Sequence, residues 1–86
     1  MIHARKDYNS IQDSSGHIPE DEPVFLIRAK DKVGPLAVET WAELAMVAGA
    51  DENIVRHAKE HAQRMREYQL KHGFKVPDMP EEGSNA

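Results

Sequence analysis

VFLIRAKDKVGP, residues 24–35, is the stretch whose reading decides the fold. It opens with an unbroken apolar run, Val24-Phe25-Leu26-Ile27, of the kind a buried strand uses. Alternation over residues 24–30 places Phe25, Ile27 and Ala29 on one face and Leu26, Arg28 and Lys30 on the other. The second face begins apolar and ends cationic. Asp31-Lys32-Val33-Gly34 then reads as a turn from strand to helix. Pro35 fits the first helical position, where its missing N–H costs nothing.

Downstream, two helical patterns follow. The first is predicted over 35–48, with Ala37, Trp41, Leu44, Ala45 and Ala48 along one face and Glu39 and Glu43 on the other side. Trp41 is expected between the helices and the Phe25/Ile27 strand face. Gly49 suits the helix end. Asp51 is a good N-cap for the second helix, and Glu52 sits near its positive end. Val55, Ala58, Ala62, Met65 and Gln69 repeat along one stripe, and Ala58 and Ala62 allow close approach to a neighbour. The short Gly49-Ala50 link makes the two helices antiparallel. Gly73 ends the second helix, and Phe74, Val76 and Met79 are expected to fold back onto the body.

Upstream, residues 2–12 are polar with weak strand periodicity and read as an extended arm. Asp13-Ser14-Ser15-Gly16 is turn chemistry. Pro19 and Pro23 restrain an acidic loop. The sequence therefore predicts an α+β fold: an extended N-terminal arm and one to three short strands, followed by an antiparallel helix pair. Residues 1–76 read as a single small domain and residues 77–86 as a flexible acidic tail.

At 86 residues the chain buries a modest share of its surface. It has no cysteine, so disulfides, cysteine-based zinc sites and cysteine nucleophiles are excluded. Oligomerisation is the remaining common way to stabilise so small a body, and a homo-oligomer is expected. The net charge of −4 argues against duplex nucleic acid as a partner. No apolar run approaches a membrane span, and no signal peptide is evident, so a cytoplasmic protein without a membrane partner is expected.

Three constellations could carry chemistry. His57 and His61 stand at i,i+4 in the second helix, a spacing that can chelate a divalent ion. The zincin pattern needs Glu after the first histidine, and Ala58 stands there, so two solvent-facing histidines and no metal are expected. Glu20-Asp21-Glu22 lacks the alternating ligands and central glycine of a calcium loop. The third constellation gathers Arg5, Lys6, Tyr8, Asn9, Arg28 and Lys30, whose forks, point charges and amide suit phosphate or carboxylate. Arg28 leaves the strand where the apolar run stops and is expected to be its central side chain. The structural alternative is that Arg28 pairs with Asp7, Asp13 or Asp31 and ties the arm to the strand.

Residues 3–13, HARKDYNSIQD, and residues 18–31, IPEDEPVFLIRAKD, resemble a small family of bacterial and phage-associated proteins to which no activity is assigned. The likeness runs on through Trp41 and the His57-Ala58 pair to Gly73. It implies a phage association, and with it inhibitors, decoys or proteins that sequester nucleotide signals. The expected function is a small non-catalytic binding protein, oligomeric and without cofactor. It would hold an anionic, nucleotide-like ligand in a site built from the arm and the strand end. The alternative is a protein-interaction module or inhibitor of a host or viral protein. A small enzyme is the weakest reading, since no phosphate loop, triad spacing or cysteine supports one.

Overall fold

The computed structural model describes residues 1–79. In order, the chain forms β1 (Ile2–His3), a single 3₁₀ turn (Lys6–Tyr8), β2 (Pro23–Val24), α1 (Gly34–Val47) and α2 (Glu52–His72). This is the α+β class with a helix pair. Two units arise: residues 1–26 with Asp78 and Met79, and residues 27–77. Residues of the acidic tail from Pro80 onward lie outside the described residues.

In the first unit β1 and β2 pair in parallel, with Ile2 opposite Pro23 and His3 opposite Val24. The apolar run does not form the long strand expected over 24–30. Its strand ends at Val24, and Phe25 is 74% exposed. The reason is a shortage of partners: a strand is stabilised by neighbours on its edges, and β1 supplies two residues. The arm also departs from the extended expectation, because Lys6–Tyr8 coil into a 3₁₀ turn. The predicted turn at 13–16 is present. The Asp13 carboxylate accepts the N–H groups of Ser15, His17 and Ile18 at 3.1, 2.6 and 3.0 Å. Gly16 takes φ +72°, a backbone state costly for other residues.

The second unit is built on the helix pair. Two tight turns lead into α1: Asp31 N–H donates to the Arg28 carbonyl at 3.1 Å, and Gly34 N–H to the Asp31 carbonyl at 2.8 Å. The Asp31 side chain accepts from Val33 N–H at 2.9 Å. Pro35 occupies the first turn of α1 as expected. At the far end Ala50 N–H reaches back to the Ala45 carbonyl at 2.9 Å, and Gly49 adopts φ +89°. Asp51 caps α2 by accepting from Asn53 N–H at 2.7 Å.

The helices run antiparallel. Glu39 pairs with Arg66, while Glu43, one turn later in α1, pairs with Lys59 at 2.9 Å, further back in α2. The core between them is Ala42, Val55, Ala62 and Met65. Ala42 and Ala62 are fully covered, and their small side chains let the two backbones approach. The α2 stripe of the sequence is therefore the buried stripe. Its polar member, Gln69, donates its amide to the carbonyls of Ala29 and Asp31 at 2.8 and 3.0 Å, tying α2 to the turn before α1.

α1 differs from expectation. Pro35 and Ala42 are buried and Val38 and Ala45 half-buried, whereas Trp41 is 50% and Leu44 65% exposed. The covered face lies about one residue step, roughly 100°, from the predicted one. Trp41 is thus no core residue. Nor do Phe74, Val76 and Met79 fold in, being 56%, 68% and 66% exposed. The backbone does return there: Lys32 N–H donates to Lys75 O at 2.8 Å, and Lys75 N–H to Lys30 O at 2.9 Å.

Candidate functional site

The rotation of α1 leaves Trp41 at the lip of an open groove of about 650 Å³ between the helices. Ile27, Val38, Trp41, Ile54 and Ala58 give it an apolar lining. His57, His61 and Arg64, one above another along α2, supply polar and cationic groups on its rim, with Glu60 beside them. Arg64 is exposed and makes no ion pair among the described residues, whereas Glu60 is engaged by Arg56 at 3.1 Å. An apolar cleft with few convergent polar groups is the usual form of a binding site. The sequence does not disclose it, since Trp41 and Ala58 lie on the faces predicted to pack between the helices.

The basic residues of α2 are mostly spent on acids. Arg66 grips Glu39 with both terminal nitrogens, and Lys59 reaches Glu43. The hydrogen bond from Arg66 holds the Glu39 carboxyl below the usual carboxylate range, and the same bond raises Arg66. The guanidinium of Arg56 stands 3.4 Å from His57 Nε2. Among the described residues no three His, Cys, Asp or Glu side chains gather as a metal site, and His57 and His61 are both solvent-exposed.

The residues singled out from the sequence divide between the two units. In the first, Arg5 is held in a fork by Asp7, with nitrogen–oxygen distances of 3.0 and 2.6 Å, and donates to the Asp78 carbonyl at 2.7 Å. Its guanidinium carbon lies 4.8 Å from the centre of the Tyr8 ring. The Asp7 hydrogen bond raises the Arg5 pKa further above its ordinary value. Tyr8 meets His3 edge to face at 6.4 Å. His3 is buried, its Nε2 2.6 Å from the Ile11 carbonyl, and its Nδ1 has no hydrogen-bond partner among the described residues. Lys6 and Asn9 are exposed.

Arg28 and Lys30 belong to the second unit and are both exposed. Arg28 forms no ion pair among the described residues. The acids proposed as its struts are engaged elsewhere: Asp7 with Arg5, Asp31 with Val33 N–H, and Asp13 with its own turn. The Ser15 hydroxyl, followed by backbone N–H groups, holds the Asp13 carboxyl below the usual range.

No helix of the described residues is long and apolar enough to cross a membrane. No family model, curated protein or solved structure matches this chain.

Proposed function

We propose that this chain is a non-catalytic binding protein whose helix-pair groove receives an apolar, acid-bearing segment of a partner protein. The observation that carries this reading is the groove itself. Trp41 and Ile54 stand half-exposed over an apolar floor, and Arg64, without an ion pair among the described residues, stands on the rim. Tryptophan and arginine are the side chains that most often anchor protein contacts. An amphipathic helix with acids along one border would fill the floor and meet Arg64, as in other helix-in-groove recognition. The phage association implied by residues 3–31 is compatible with an inhibitor docking on a host protein. A homo-oligomer and a cytoplasmic setting belong to the same proposal.

A panel of acidic amphipathic peptides titrated against the full chain tests it, with Trp41 as reporter, since it is the one tryptophan of the sequence. Saturable binding with a blue shift is expected, weakened about tenfold by Arg64→Glu and abolished by Ile54→Asp. Absence of saturable binding across the panel, or binding indifferent to both changes, refutes the reading.

A second reading keeps the anionic small ligand at Arg28 and Lys30. It is favoured by the exposure of Arg28 and by the absence of an ion pair to it among the described residues. Arg28→Lys would then weaken nucleotide binding and leave the melting temperature unchanged. Calorimetry with a set of nucleotides that shows no heat of binding would remove this reading.

A further inference from the structure

We propose that the outer face of α1, turned away from α2, is the contact between two copies of this chain, packed antiparallel about a two-fold axis near Thr40 and Trp41. The inference stands apart from the groove reading: it concerns the other side of α1, and only Ala37 and Trp41 are common to both surfaces.

α1 is apolar nearly all round. In GPLAVETWAELAMV the polar side chains are Glu39, Thr40 and Glu43. A helix of this composition is normally buried on every side, yet α2 covers one side of it. What remains open is a continuous stripe at helical spacing. Val33 is 51% exposed, Leu36 62%, Leu44 65% and Val47 84%, with Trp41 at 50%. These side chains flank a shallow concavity of about 420 Å³ floored by Ala37 and Thr40.

The stripe carries nothing that asks for water or for an ionic partner. The Thr40 hydroxyl donates within the helix to the Leu36 carbonyl at 2.8 Å. Glu39 and Glu43, the two charges of α1, are each already paired with a cation of α2. Two copies can therefore approach without unpaired carboxylates facing each other, the repulsion that such an approach would otherwise meet. A strongly charged partner finds no complement here.

The stripe is also complementary to itself. Reversing its direction about Thr40 and Trp41 brings Val33 opposite Ala48, Leu36 opposite Leu44, and Trp41 opposite the small floor of Ala37 and Thr40. Large meets small and apolar meets apolar, as an isologous interface requires. Two such faces remove on the order of 1,000 Å² from water, the lower bound for a specific contact. The need for that burial is plain in each copy. Its own core is Ala42, Val55, Ala62 and Met65, and among the described residues no large side chain is fully buried.

Sedimentation equilibrium and native mass spectrometry of the full chain test the proposal, alongside Leu44→Glu and Leu36→Lys. Both positions are exposed in the single copy, so circular dichroism should show helix content unchanged in each variant. The parent is expected to be a dimer at tens of micromolar, and each single variant a monomer. Mixing the two variants should restore a heterodimer, because the antiparallel register sets one introduced charge against the other. A parent that stays monomeric at high micromolar concentration overturns the proposal. So does a dimer indifferent to both changes, and a failure of the mixture to pair overturns the antiparallel register. Ile54→Asp, in the groove, should leave the dimer intact, so loss of peptide binding and loss of pairing are separable results.

Discussion

Gly34 lies where the turn, α1 and α2 come close together, and Gly34→Ala tests that packing. A Cβ added there would lie 2.6 Å from the Arg28 carbonyl oxygen, 3.2 Å from Met65 Cε and 3.4 Å from Ile27 Cγ2. The first distance is about 0.8 Å short of ordinary contact, and the obstacle is backbone. The Arg28 carbonyl cannot retreat freely, because it accepts the Asp31 N–H that forms the turn. Forcing extra volume into such a place costs about 1–3 kcal/mol. Alanine returns part of this through its higher helix propensity, at most about 1 kcal/mol and less in a first turn. A net loss of about 1–2 kcal/mol remains, which in a chain of this size lowers the melting temperature by roughly 5–15 °C. Thermal unfolding followed by circular dichroism reads it, with melts run at several protein concentrations so that any self-association is accounted for. A melting temperature equal to or above the parent's would show that Gly34 is not closely packed and that the approach of α1 to the preceding turn is wrong.

Two further outcomes follow from the helix pair. Asp51→Ala removes the cap of α2 and should cost about 1 kcal/mol, whereas Asp51→Asn should retain most of it; paired denaturant melts separate the two. Glu39 is held below its ordinary pKa by Arg66, so its contribution is present at neutral pH and is lost as pH falls through the lowered folded value. Acid unfolding curves should therefore show Glu39→Gln less sensitive than the parent below about pH 4, the ordinary carboxylate range. Identical acid limbs for the two proteins would remove the pairing from the account of stability.

The difference between the two helices shows how far a pattern in the chain can be read. α2 alternates strongly between apolar and charged residues, so its stripe of Val55, Ala58, Ala62 and Met65 has one possible phase, and the structure buries Val55, Ala62 and Met65 and half-buries Ala58. Its cap at Asp51 and the glycines at 49 and 73 act through their nearest neighbours, so they too were legible. α1 is apolar nearly all round, with Glu39, Thr40 and Glu43 its polar side chains, and more than one phase satisfies its sequence. Only the contact with α2, centred on the small Ala42 and Ala62 and flanked by two ion pairs, selects one, and it leaves Trp41 and Leu44 outside.

The same division runs through the candidate sites. That Asp13 and Asp31 would serve turns is local chemistry, since each accepts N–H groups within five residues of itself. That Arg5 is committed to Asp7, Asp78 and the Tyr8 ring depended on the 3₁₀ turn and on chain 73 residues away. The run at residues 24–27 promised a buried strand, but strands draw their stability from partners that a sequence does not place, and here the partner is two residues long. The sequence by itself determined the α+β class, the helix pair and the caps, because these follow from short-range periodicity and neighbouring groups. Tertiary structure alone decided which face of α1 is covered and therefore that a groove opens beside Trp41, because that choice is made by packing between segments whose sequences do not specify each other.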